Sequence, residues 1–99
     1  MYFAIIGEDV DNSLPLRLAA RPAHLARLEN LRAEDRLLLA GPFPAAADEE
    51  TQKSGFTGSL IVAEFVSQAD CQAWAEADPY VLAGVYARVT IRPFKKVFP

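Results

Sequence analysis

Strand-like and helix-like stretches follow one another along this chain in the order β-α-β-β-α-β, and no other feature restricts its fold so tightly. Residues 2–8, YFAIIGE, are short, β-branched and aromatic, which suits a strand. Turn formers in DVDNSLP carry the chain onward. Residues 14–33 have helical spacing, broken at Pro22, whose ring crowds the preceding turn and which lacks an amide hydrogen. The pattern therefore predicts a short helical turn over 14–20 and a main helix over 21–33. RLLLAGPF (36–43) is a second strand, stopped by Gly41 and Pro42. PAAADEETQKSGFT (44–57) carries neither period and reads as the most mobile internal loop, and GSLIVAEFV (58–66) is a third strand. Ser67 and Asp70 have capping-box spacing for a helix through QADCQAWAEA. Asp78 then stands as an N-cap, with Pro79 at the first helical position and Gly84 ending the turn. VYARVTIRPF (85–94) sets Val85, Ala87, Val89 and Ile91 against Tyr86, Arg88, Thr90 and Arg92, as a half-buried strand does.

In 99 residues this order specifies one α+β domain spanning 1–99. The expected architecture is a ferredoxin-like βαββαβ sandwich, four antiparallel strands with two helices on one face. The stretches FAII and IVAEFV are apolar on both alternating sets, yet two helices cover only one face of a sheet. The outer face calls for a partner, and a homodimer packed sheet on sheet supplies it.

Composition narrows the function classes. Apolar residues make up 52%, charged residues 23%, and the net charge is -3. Without clustered Lys and Arg, neither nucleic acid nor an anionic membrane is an expected partner. A small anionic metabolite remains compatible, because a local pair of arginines suffices to hold it. The lone Cys71 excludes an intrachain disulfide, and with a single histidine it cannot build a zinc cage. MYFAII runs into Glu8 and Asp9 with no basic start and no cleavage site, unlike a secretory signal. No stretch approaches the roughly 18 apolar residues of a membrane span. The expectation is a cytoplasmic protein with neither metal nor organic cofactor.

The one histidine lies in RPAHLARLENL (21–31), where a helix burying Leu28 and Leu31 would ordinarily place a leucine. Arg17, Arg21, His24, Leu28 and Leu31 fall on a single stripe at helical spacing. That stripe is apolar toward its C-terminal end and cationic toward its N-terminal end, with His24 at the junction. Because Pro22 interrupts the helix, Arg17 is the less secure member and Arg21 the better candidate for a substrate carboxylate. An imidazole there suits proton transfer near neutral pH; it equally suits a core boundary with its nitrogens satisfied by backbone or water. Asp78 has two readings as well, a helix cap or an acceptor that orients an imidazole. Tyr80 either donates to a ligand or packs. GFTGS (55–59) is either a plain loop return or a set of exposed amides with Ser59 beside an anion. PFKKVF (93–98) reads as a solvated edge with apolar anchors.

RPAHLARL, AGPFPA, GFTGS, AEF, AWAEADPYVLAGVY and PFKKVF, in that order, resemble the YCII-related (YciI-like) family over the whole chain. The resemblance implies a ferredoxin-like fold of the kind seen in muconolactone isomerase, assembled as a homodimer. It also implies an active site centred on a histidine and an aspartate, here matching His24 and Asp78. A more distant member of the family is similar to an enzyme that dechlorinates a chlorinated hydroxymuconolactone, which suggests acid–base chemistry on small carboxylated rings. On that basis His24 shuttles a proton, Asp78 orients it, Arg21 holds a carboxylate, and Tyr80 and Ser59 complete the substrate site. The reaction is of isomerase or lyase type on a small carboxylated or lactone-like metabolite. The alternative is a non-catalytic small-molecule-binding or protein-interaction module. Whether His24 and Asp78 meet within one chain or across a dimer is left open by the sequence.

Overall fold

The computed structural model describes residues 1–47 and 54–99. In chain order the elements are β1 (Tyr2–Asp9), α1 (Leu14–Ala33), β2 (Leu37–Pro44), β3 (Phe56–Glu64), α2 (Gln68–Glu76), α3 (Pro79–Leu82) and β4 (Tyr86–Phe94). The strands form one sheet in the order β2-β3-β1-β4, with each neighbouring pair antiparallel. This is the ferredoxin-like α+β arrangement, in which the two strands that follow helices lie beside β1 or at the far edge. The core of the expected mobile loop, 48–53, lies outside the described residues. Its two ends are shorter than expected, since β2 continues to Pro44 and β3 begins at Phe56.

Period two explains which sheet face is covered. Phe3 and Ile5 of β1 lie beside Ala63 and Ile61 of β3 and point to the same side. On that side they pack with Leu28, Leu31, Cys71 and Ala75 from the helices to form the core. Each such large apolar side chain contributes on the order of 1.5–3 kcal/mol when fully buried.

Helix α1 departs from the expectation of a break at Pro22: it runs unbroken from Leu14 to Ala33. Pro22 removes the hydrogen bond to the carbonyl of Leu18, but both residues are exposed, so the lost bond falls away from the core. The opposite side buries Arg17, His24, Leu28 and Leu31 in a continuous line, and that burial holds the two halves coaxial. Beyond the helix end, Asp35 adopts a left-handed conformation (φ 58°), which aspartate tolerates better than most residues. The start of α2 is as expected: the Ser67 hydroxyl accepts a hydrogen bond from the Asp70 amide at 3.1 Å.

The other sheet face carries Ala4, Ile6, Leu60 and Val62 in register, extended by Leu39 opposite Val62 and Phe43 opposite Gly58. Leu39 and Phe43 are 48% and 41% exposed, so none of the described helices covers them. Among the described residues, no helix is long and apolar enough to cross a membrane.

Candidate functional site

Helix α1 leaves part of the inner surface of β2 open, and a cleft of about 350 Å³ lies between them. Leu14, Leu18, Leu25 and Phe56 give it apolar walls, while Arg17, Arg21, His24, Ser59 and Tyr80 reach it with polar groups. Four of the five residues singled out by sequence therefore line one cavity. The fifth, Asp78, stands directly behind His24.

His24 and Asp78 meet within one chain. The imidazole Nδ1 lies 2.8 Å from Asp78 Oδ1, and the two side chains are 7% and 4% exposed. The same Oδ1 accepts the backbone amide of Tyr80 at 2.8 Å. Asp78 is thus helix cap and imidazole partner at once, because α3 is short and begins beside the buried stripe of α1. With the carboxylate behind it, Nδ1 is the nitrogen placed to donate, which leaves Nε2 as the ring nitrogen available to the cleft that His24 lines. The Tyr80 ring stacks on the imidazole with centroids 3.8 Å apart and planes 9° from parallel, which fixes the ring's tilt. Burial raises the Tyr80 hydroxyl's pKa, and the nearby Arg17 and Arg21 only partly offset it.

The two arginines exchange the places expected of them. Because α1 does not break, Arg17 stays on the buried stripe, 4% exposed, whereas Arg21 lies at the exposed rim of the cleft. Arg17 donates from Nε to Asp9 Oδ2 at 2.6 Å and from Nη2 to Asp9 Oδ1 at 2.9 Å. Nη2 also reaches the Gly58 carbonyl and the Ser59 hydroxyl, each at 2.8 Å. Burial is the largest influence on the Arg17 charge and works against it, yet the hydrogen bonds and attraction of Asp9, with Tyr86 and Tyr80, together outweigh it and leave its pKa raised.

GFTGS is neither the plain loop return nor the set of exposed amides that its sequence allowed, since β3 already begins at Phe56. Gly58 and Ser59 are paired with β1 on one side and β2 on the other, so their amides belong to the sheet. What the segment offers the site is the Ser59 hydroxyl and the Gly58 carbonyl.

Sequence reasoning missed Asp9, which was placed in the connection after β1. A signal was present: Phe3, Ile5, Gly7 and Asp9 alternate, so Asp9 falls on the inner face. It also misplaced Tyr86, which was assigned to the outward set of β4. A register shift at Glu8/Asp9 puts Asp9 opposite Tyr86 while Glu8 stays opposite Arg88, so one residue of β4 bulges. The Tyr86 ring then turns inward over Gly7, where an added Cβ would lie 2.6 Å from it. Its edge meets Tyr80 at 5.8 Å and 89°. The Tyr86 hydroxyl is buried, with no hydrogen bond of good geometry among the described residues, and burial, only partly offset by the nearby Ser59 hydroxyl, pushes its pKa up to about 12.

Stability should therefore decline in alkali. Burial pushes the Cys71 thiol from 9.0 up to about 11 and the Tyr86 hydroxyl from 10.0 up to about 12. Both are raised, so their contribution is complete below about pH 9 and is lost as pH climbs through the folded values. Urea midpoints should fall between about pH 9 and pH 12, and Cys71→Ala together with Tyr86→Phe should flatten the fall. A decline just as steep in the double variant would place its origin elsewhere.

Fold and site together define a small ferredoxin-like domain with a buried His–Asp pair at the wall of an apolar cleft. A model of the YCII-related domain matches residues 1–95, and the chain belongs to that family. It is 55% identical to protein YciI of Escherichia coli (O6:H1) over 98 residues, 99% of this chain and 100% of that protein. A Haemophilus influenzae protein is 54% identical over 98 residues, with the same coverage. Among solved structures, 5-chloro-2-hydroxyhydroquinone dehydrochlorinase from Burkholderia phenoliruptrix, in complex with 2,5-dihydroxybenzoquinone, superposes with a TM-score of 0.85. It is 33% identical, and the match covers 96% of this chain and 94% of that one.

Proposed function

We propose that the protein is a small acid–base enzyme of isomerase or lyase type acting on a small oxygenated ring. The observation that carries this reading is the 2.8 Å contact of His24 Nδ1 with Asp78 Oδ1, with the other ring nitrogen available to an apolar cleft. In this reading His24 Nε2 takes a proton from the substrate and returns it elsewhere, as in elimination or isomerisation beside a carbonyl. Asp78 fixes the tautomer and stabilises the imidazolium. Tyr80 holds the ring plane, and Arg21 at the rim guides the substrate in. The structural neighbour's name points to a chlorinated hydroxyhydroquinone rather than the lactone that resemblance alone suggested, so a six-membered oxygenated ring is the substrate to try first. Purified protein supplied with 5-chloro-2-hydroxyhydroquinone should release chloride, and His24→Asn should not. Equal rates for the two proteins would remove His24 from the chemistry, and binding without turnover in both would favour a non-catalytic module.

We also propose that the outer sheet face forms a homodimer. Leu39 and Phe43 extend the half-buried Ala4, Ile6 and Leu60 into one apolar surface, of the kind that a soluble chain rarely leaves uncovered. Sedimentation at micromolar concentration should show a dimer that Leu39→Asp with Phe43→Asp converts to monomer. A wild-type monomer would dismiss the interface.

A further inference from the structure

The geometry points to a ligand that enters the cleft without formal charge and sets its carbonyl oxygen against Arg17, an assignment that rests on the acid–base reading above. Arg17 is almost fully buried, yet it lines the cleft. Its Nε and Nη2 are committed to Asp9, the Gly58 carbonyl and Ser59. Nη1 is committed to none of these acceptors and is not among the buried unpaired atoms of the described residues; the Tyr80 hydroxyl stands within hydrogen-bonding reach of the guanidinium, and both residues line the cleft. The Phe56 and Tyr80 rings lie 5.2 and 5.1 Å from the guanidinium carbon and hold it in place. A donor fixed in this way needs no rearrangement when charge develops in front of it.

The charge balance decides what it binds. Asp9 cancels Arg17 at hydrogen-bond distance. Asp78 likewise offsets Arg21 in number, so the fixed charges of Arg17, Arg21, Asp9 and Asp78 in and behind the described part of the cleft sum to zero. A carboxylate placed on Nη1 would lose its hydration and face the Asp9 carboxylate across the guanidinium, with no surplus cation in return. A carbonyl oxygen gains the same donors without that cost. When the C–H bond beside the carbonyl breaks, the proton passes to His24 Nε2 and the electron pair moves onto the oxygen. Imidazolium and enolate appear together, so the cleft stays balanced while the Arg17 hydrogen bonds strengthen. The substrate class is an enolisable cyclic carbonyl, neutral at physiological pH, in place of the small anion that composition allowed.

Two probes of nearly equal shape test this, 4-hydroxyacetophenone and 4-hydroxybenzoate, which differ by a methyl ketone against a carboxylate. Titrated into the wild-type protein near neutral pH and followed by NMR, the ketone should bind at least about tenfold tighter. Asp9→Asn leaves the Arg17 charge uncancelled and should move the ratio about tenfold toward the carboxylate. Should that variant fail to fold, Arg21→Gln provides the opposite arm, since removing the rim cation should widen the preference for the ketone. Equal affinities, a wild-type preference for the carboxylate, a ratio that moves against these directions, or binding of neither probe at millimolar concentration would each overturn the assignment. The preference is measured without turnover, so a lack of chloride release counts against the acid–base reading and leaves this result to be decided by the titration.

Discussion

Replacing Arg17 by leucine should cost about 3–5 kcal/mol of stability, the loss that follows when one member of a buried ion pair is removed. The Arg17 and Asp9 side chains are 5% and 1% exposed, so the carboxylate left behind has little access to water. Among the described residues it would retain only the Ser13 hydroxyl as a side-chain donor, at 2.5 Å. The Gly58 carbonyl and Ser59 hydroxyl would lose their Arg17 donor in the same step. Leucine fills much of the volume and lies easily beside Phe56, so packing alone would predict a mild effect. Urea unfolding near pH 7 separates the two accounts. A loss below about 1 kcal/mol, typical of a surface pair, would mean that water reaches Asp9. The double variant Asp9→Asn with Arg17→Leu leaves no buried charge and should recover a large part of the loss.

The topology could be read from the sequence because it depends on periods that every element displays. Alternation in β1 and β4, helical spacing in α1 and α2, and the Ser67 and Asp78 caps all appear locally, and the sheet order follows from them. The errors arise where a non-local fact overrides a local signal. Pro22 breaks a helix in isolation; here its lost hydrogen bond falls on the solvent side while His24 and Leu28 hold the other side to the core. Tyr86 looks outward by alternation, and only the bulge opposite Asp9 turns it in. Arg17 looked insecure for the same reason that Pro22 looked disruptive, so the guanidinium at the heart of the cleft was passed over for Arg21 at its rim. His24 and Asp78 were legible separately, as an odd residue on an apolar stripe and a cap after a tryptophan. Their meeting was not, because it depends on α3 starting beside the middle of α1, a relation between elements 54 residues apart in sequence.

Asp78→Asn and Asp78→Ala should fail in different ways, and the difference tests what Asp78 does. One oxygen, Oδ1, serves both the Tyr80 amide and His24 Nδ1, at 2.8 Å each. Asparagine can offer a carbonyl oxygen in the same place and is as good an N-cap as aspartate, so folding should be almost unaffected. It cannot balance a charged imidazolium, and its amide can turn a donor toward Nδ1 and hold the wrong tautomer. Chloride release in the assay above should therefore fall by about 10²–10⁴, the usual worth of a positioned acid–base group. Alanine removes the cap and leaves a buried imidazole N–H unpaired, which together should cost about 2–4 kcal/mol. The rate should drop at least as far as with asparagine, while the stacking of Tyr80 on His24 loosens because α3 has lost its anchor. An asparagine variant that is stable and fully active would reduce Asp78 to a cap. If it is stable and slow, the carboxylate acts through the imidazole, since the amide preserves the cap and changes only the charge and the tautomer it favours.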